Sequence, residues 1–200
     1  MKRKIVIAFV LTIVFSAVLT VGIRMQSMKN AFDEELYCNV IRLHILANSD
    51  SECDQQAKLL IRDNVLGYVS DMTADAASVS DAERILSDNT EEIQKYVTDT
   101  VRKLGYSYDV SVSFSDEQYP VRYYDGFAFP SGIYKSLKIK LGEAKGKNWW
   151  CVLYPSVCLS SAEGAEDLLL DSGVSKNTVK YIGSPKKYKF EFYLLELLGL

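Results

Sequence analysis

The chain reads as an α+β protein: a two-layer domain with an antiparallel or mixed sheet packed by helices, preceded by an N-terminal transmembrane helix or signal peptide. Three observations predict this. An apolar run opens the chain, helical stripes follow one short alternating segment, and beyond Gly105 the hydrophobic period changes from helical to two. The organisation expected is an anchor or signal peptide over residues 1–24, a juxtamembrane segment over 25–38 and an extracytoplasmic domain over 39–200.

The apolar run comes first. Met1-Lys2-Arg3-Lys4 precedes "IVIAFVLTIVFSAVLTVGI", Ile5 to Ile23, which holds no charged residue. Its length is close to the roughly 20 residues a helix needs to cross the hydrocarbon core. A signal peptide has a shorter apolar region and small residues before the cut, and Thr20-Val21-Gly22 is a poor cleavage site. The run therefore favours an uncleaved anchor. Three basic residues ahead of it place the N-terminus in the cytoplasm and everything from Arg24 onward outside.

That location gives the four cysteines their meaning. In an oxidising compartment an even number reads first as disulfides. Cys151 and Cys158 are near in sequence with Pro155 favouring a turn between them, which leaves Cys38 and Cys53 over. The spacing fits no structural zinc site, and a single histidine leaves no room for a His-based one, so neither metal nor cofactor is expected. A net charge of −3 without a concentrated basic stripe argues against nucleic acid.

Arg24 to Cys38 should continue the anchor helically. "NVIRLHILAN" then alternates, with Ile41, Leu43 and Ile45 against Arg42 and His44, as a half-buried strand does. Ser51 is a good N-cap, with Glu52 and Asp54 in the first turn. Ala57, Leu60, Ile61, Val65 and Tyr68 give the next helix its stripe, while Asp54, Lys58 and Arg62 form a solvated ladder. Ser80 and Glu83 have capping-box spacing. A break near Asp88-Asn89 separates a further stripe of Ile93, Val97, Val101 and Leu104, which Gly105 ends. Val110, Val112 and Phe114 alternate with serines, and "YPVRYYDGFAFPSGIY" reads as short strands broken by proline and glycine. Leu137, Ile139 and Leu141 alternate with Lys138 and Lys140. With Lys135, Lys145 and Lys147 these lysines form the one basic cluster, a solvated sheet face. A short helix over Ala162 to Leu170 and a closing one containing Phe190, Leu194, Leu197 and Leu198 complete the chain.

The stretch "GKNWWCVLYPSVC" carries several readings. On a strand Trp149, Cys151 and Leu153 share one face and Trp150, Val152 and Tyr154 the other. Both faces are apolar, as on a central strand covered on both sides. Alternatively one tryptophan reaches the surface as a binding anchor. A third reading makes Cys151 a nucleophile with His44 as its base, although no cysteine-protease signature surrounds it. Asn48-Ser49-Asp50 reads first as a strand-to-helix turn and second as a polar recognition loop.

Two segments go further. "IRLHILANSDSECDQQAKLLIRDNVL", Ile41 to Leu66, and "GEAKGKNWWCVLYPSVC", Gly142 to Cys158, resemble the stage II sporulation protein R family. Ala144 stands where the family commonly has glycine, Ser156 replaces a proline, and Cys38 and Cys53 fall outside the pattern. The resemblance implies a signal and not a catalyst. Such a protein is exported from the forespore into the space between the two sporulation membranes. There it activates a membrane-embedded aspartic protease of the mother cell, which processes the precursor of sigma E. His44, Asn48, Ser49, Asp50, Lys147, Asn148, Trp149 and Trp150 match the motifs and are the candidates for the contact. The alternative function is an extracytoplasmic hydrolase using the Cys151–His44 region on peptide or cell-wall substrates.

Overall fold

A computed structural model describes residues 2–124, 126–155 and 162–183. The first helix, α1 (Lys2–Asn39), is unbroken, so the apolar run and the segment after it are one rod. Its N-terminal half is exposed and apolar enough to cross a membrane. Its C-terminal half is not a free linker: Leu36 is fully buried and Asp33 nearly so.

The strand β1 (Ile41–Leu46) follows, then three helices, α2 (Glu52–Met72), α3 (Val79–Asp88) and α4 (Thr90–Lys103). Ser51 caps α2 as expected, accepting from the Asp54 N–H at 3.2 Å. The cap of α3 is Ser78, which accepts from Asp81 N–H at 3.1 Å. The Ser80–Glu83 capping box is therefore displaced by two residues, because Ser78 already offers the same chemistry earlier in the chain. Asn89 breaks α3 from α4 where expected. Gly105 ends α4 at φ 84, with Tyr106 N–H closing on the Val101 carbonyl at 3.0 Å.

The second half supplies β2 (Val110–Tyr119), β3 (Arg122–Tyr124), β4 (Phe127–Phe129), β5 (Gly132–Leu141) and β6 (Asn148–Tyr154). The main sheet is mixed, in the order β2-β5-β1-β6, while β3 and β4 form a separate hairpin. β1 and β5 run parallel at the centre, Ile41 opposite Lys135, and both outer pairs are antiparallel. Two short helices, α5 (Ala162–Asp171) and α6 (Lys176–Gly183), follow. The last of these was not read in the sequence. The closing helix expected around Phe190 to Leu198 lies outside the described residues, as does Cys158.

Alternation sorts the sheet's side chains onto two faces. Ile41, Leu43, Ile45, Leu137, Ile139, Leu141, Cys151 and Leu153 join the α2–α4 stripes in one apolar core. Each fully buried aliphatic there contributes about 1.5–3 kcal/mol of transfer free energy. A second core lies on the far face at one end of the sheet, where Val152 meets Leu36 of α1, Phe127 and Phe129 of the hairpin, and α5 and α6.

These two cores correct several expectations. β1 is not half-buried, because far-face Arg42 and His44 are covered as well. β6 is an edge strand and not a central one; its second covered face comes from the α1–hairpin cluster and not from a neighbouring strand. Leu60 is 46% exposed and does not belong to the α2 stripe, which Leu66 and Val69 extend instead. The lysines divide between environments. Lys135 bridges Glu83 and Asp116 on the helix side, Lys138 pairs with Glu117 on the far side, and Lys145 pairs with Glu143 in the turn.

Candidate functional site

The motif residues do not form one site. The structure sorts them into a loop clamp, a tryptophan on the helix side, and a polar cluster on the far face of the sheet.

The clamp joins the β1–α2 turn to the β5–β6 turn. Gly146 N–H donates to the Ala47 carbonyl at 3.0 Å and Lys145 N–H to the Asn48 carbonyl at 3.1 Å. Asn48 Oδ1 accepts from Glu143 N–H at 2.9 Å, and Asp50 Oδ1 accepts from Lys147 N–H at 2.7 Å. The glycines are sterically required: a Cβ on Gly146 would sit 2.2 Å from the Ser49 carbonyl oxygen, and one on Gly142 would sit 2.2 Å from Asn48 Oδ1. Beneath the turn, Asp54 accepts from Asn48 Nδ2 at 2.9 Å, from Ser49 Oγ at 2.5 Å and from the Tyr108 hydroxyl. The Ser49, Tyr108 and Asn48 donors hold its carboxyl down at about 2. Lys58 donates to Gln55 Oε1 at 2.6 Å and to the Lys147 carbonyl at 2.9 Å.

The Asp54–Lys58 ladder is therefore buried, not solvated: Asp54 is 8% exposed and Lys58 4%. Their charges are tolerated because each is hydrogen-bonded to the turns. Asn48, Ser49 and Asp50 hold two loops together. Lys147 offers its backbone to this clamp while its residue stays exposed. No local pattern could have shown that a helix face four residues apart was buried by a turn so distant along the chain.

Trp149 and Trp150 do point to opposite faces, but neither is freely exposed and neither is fully buried. Each lies against an arginine. The Arg62 guanidinium of α2 is 4.2 Å from the Trp149 ring centre on the helix side, and Arg122 of β3 is 5.1 Å from Trp150 on the far side.

Around Trp150 the far face is polar and aromatic. The His44 ring stacks on the indole at 3.7 Å and 13°. His44 Nδ1 donates to Glu117 Oε1 at 2.9 Å, and Nε2 lies 3.0 Å from Asn148 Oδ1. Glu117 also accepts from Lys138 and, at 3.0 Å, from Ser136 Oγ. Burial would raise this carboxyl, but His44, Lys138 and Ser136 outweigh it and hold it at about 2. Next along β1, Arg42 is fully buried among aromatic rings, its guanidinium 4.5 Å from Tyr119 and 4.9 Å from Tyr134. Arg42 donates from Nε to the Cys151 carbonyl at 2.9 Å and from Nη2 to the Tyr124 hydroxyl at 2.7 Å. Glu117, Arg42 and Arg122 were missed as site residues. Arg42 lies within the first motif, but its aromatic cage is built by distant strands; Glu117 reaches the cluster from β2 and Arg122 by packing on Trp150, which spacing along the chain does not reveal.

The proposed Cys151–His44 couple is not assembled. Cys151 faces the helix-side core, while His44 faces the opposite side and is committed to Glu117 and Asn148. Cys38 and Cys53 are free and exposed, so they make no bridge with one another. No group of His, Cys, Asp and Glu able to hold a metal occurs among the described residues.

Comparison with known proteins gives a consistent picture. A family model described as stage II sporulation protein R matches residues 37–164. The chain is also 32% identical to the stage II sporulation protein R of Bacillus subtilis (strain 168) over 168 residues, 83% of this chain and 75% of that protein. No solved structure matches.

Proposed function

The chain belongs to the stage II sporulation protein R family, and from that premise we propose that it is a signalling ligand rather than a catalyst. It is exported from the forespore and activates a mother-cell membrane aspartic protease that processes the precursor of sigma E. The observation that carries this reading is the family match, which includes both motif segments. The apolar start of α1 supports an extracytoplasmic location, anchored or secreted. Separation of Cys151 and His44 on opposite faces weighs against the hydrolase alternative. A Cys151–Cys158 disulfide belongs to the same reading, and mass spectrometry of non-reduced peptides checks it: two alkylatable thiols there would contradict it.

Activation requires that the domain bind the active state of the protease more tightly than the inactive one. Far-face Asn148 and Trp150 with exposed Lys147 are the motif residues placed to make such a contact; Asn48, Ser49 and Asp50 support them from the clamp. The test is co-expression of the full chain with protease and sigma precursor, following cleavage. Wild type should trigger processing. His44→Gln keeps a side chain able to hydrogen-bond and loses the imidazole base, so processing should persist in a folded variant. Loss of processing by a His44→Gln protein that still binds the protease would return a catalytic role.

A further inference from the structure

We propose that the far face around Trp150, with Arg122 as its cover, receives a carboxylate-bearing segment of the protein partner; this rests on the ligand reading above. The argument begins with unanswered donors. Arg42 Nη1, Arg122 Nε and Trp150 Nε1 are buried with no hydrogen-bond partner, as is Trp149 Nε1 on the helix side, but only the first three lie together. Arg42 and Trp150 both pack on Tyr119, and Arg122 packs on Trp150, so the three belong to one cluster. All are N–H groups, and a buried polar group left without a partner is destabilising. What the cluster calls for is an acceptor.

Charge points the same way. Among the described residues neither Arg42 nor Arg122 has a carboxylate partner, although both are cationic. Glu117, an acid on that face, already holds His44, Lys138 and Ser136. Lys140 is exposed on the same face of β5. A planar guanidinium pairs with a carboxylate in bidentate geometry, which a ring face cannot offer.

Arg42 is fixed by its bonds to Cys151 and Tyr124, whereas Arg122 lies over the indole in a cation–π contact with no hydrogen bond at its Nε. A partner's Glu or Asp would draw Arg122 off the ring, give it the ion pair it lacks and uncover Trp150 as an apolar anchor. The occupant is thus an acidic stretch of protein with an apolar neighbour.

The experiment uses the full chain in detergent micelles and a peptide of alternating Glu and Leu, with a Gln–Leu peptide as control. Binding is read from the two indole N–H resonances, assigned through Trp149→Phe. The Glu peptide should shift the Trp150 signal saturably, with binding weakened by salt, and leave Trp149 unmoved. Arg122→Gln should weaken it at least tenfold while the melting temperature holds, Arg122→Lys should keep part of it, and Arg62→Gln should leave it unchanged. Equal binding of the Gln peptide, indifference to Arg122, no binding, or binding only to phosphatidylglycerol vesicles would overturn the proposal. Processing is scored separately in co-expression. Wild type that binds the Glu peptide but triggers no processing refutes the protease reading and leaves this surface standing. Processing that survives Arg122→Gln, in a variant that has lost the peptide, overturns the surface.

Discussion

Ala144 occupies the left-handed region at φ 52, in the turn between β5 and β6. A non-glycine residue there costs about 1–2 kcal/mol, part of which glycine returns through its freer unfolded chain. Ala144→Gly should therefore stabilise the domain by about 0.5–1 kcal/mol in urea unfolding. Gly146→Ala should act in the opposite sense, by about 1–3 kcal/mol, because its Cβ meets backbone that cannot step aside. Both residues come from the one turn motif visible in the sequence, yet their signs differ for reasons only the fold shows. The same limit applied to the tryptophans: alternation put them on opposite faces correctly, but the arginines that cover them come from α2 and β3.

At the scale of elements, the clamp and the far-face cluster each rest on one ionised carboxylate. Asp54 is lowered from 3.8 to about 2 and Glu117 from 4.5 to about 2. Both are depressed in the folded state, so the stability they supply is complete above the unfolded values and lost as pH falls through the folded ones. The domain should hold constant stability from neutral pH down to about 4.5 and then lose it steeply toward 2. In Asp54→Asn that acid limb should shrink, while stability at pH 7 falls by about 2 kcal/mol, since hydrogen bonds to a charged acceptor are removed. Thermal unfolding between pH 2 and 7 measures both. Apart from α6 and the cap of α3, the described helices, the strands and the α4 stop were legible in the sequence because period and capping are local. Burial of Lys58, Arg42 and His44 was not, because it is imposed by strands and turns distant along the chain.

For the whole molecule, the junction between rod and domain matters most. Glu35 of α1 accepts from Ser175 N–H at 2.7 Å and Ser175 Oγ at 3.0 Å, capping the start of α6, and Phe32 packs on Tyr181 at 5.2 Å. A chain starting at Gln26 keeps these contacts and should unfold cooperatively near the wild-type temperature. One starting at Val40 loses Leu36 and Glu35 and should melt markedly lower, by several degrees for each ~1 kcal/mol removed. Any trimming of the N-terminus compatible with a stable domain thus falls before Phe32. The central parallel pair also dictates the order of events during synthesis. β1 emerges first of all the strands, and its two neighbours, Gly132–Leu141 and Asn148–Tyr154, are among the last elements made. Until then its apolar edge has nothing to pair with, and pairing so distant in sequence is intrinsically slow. The nascent chain therefore lacks its central sheet for most of its synthesis, with the pairing edges of β1 left open until the last strands are made.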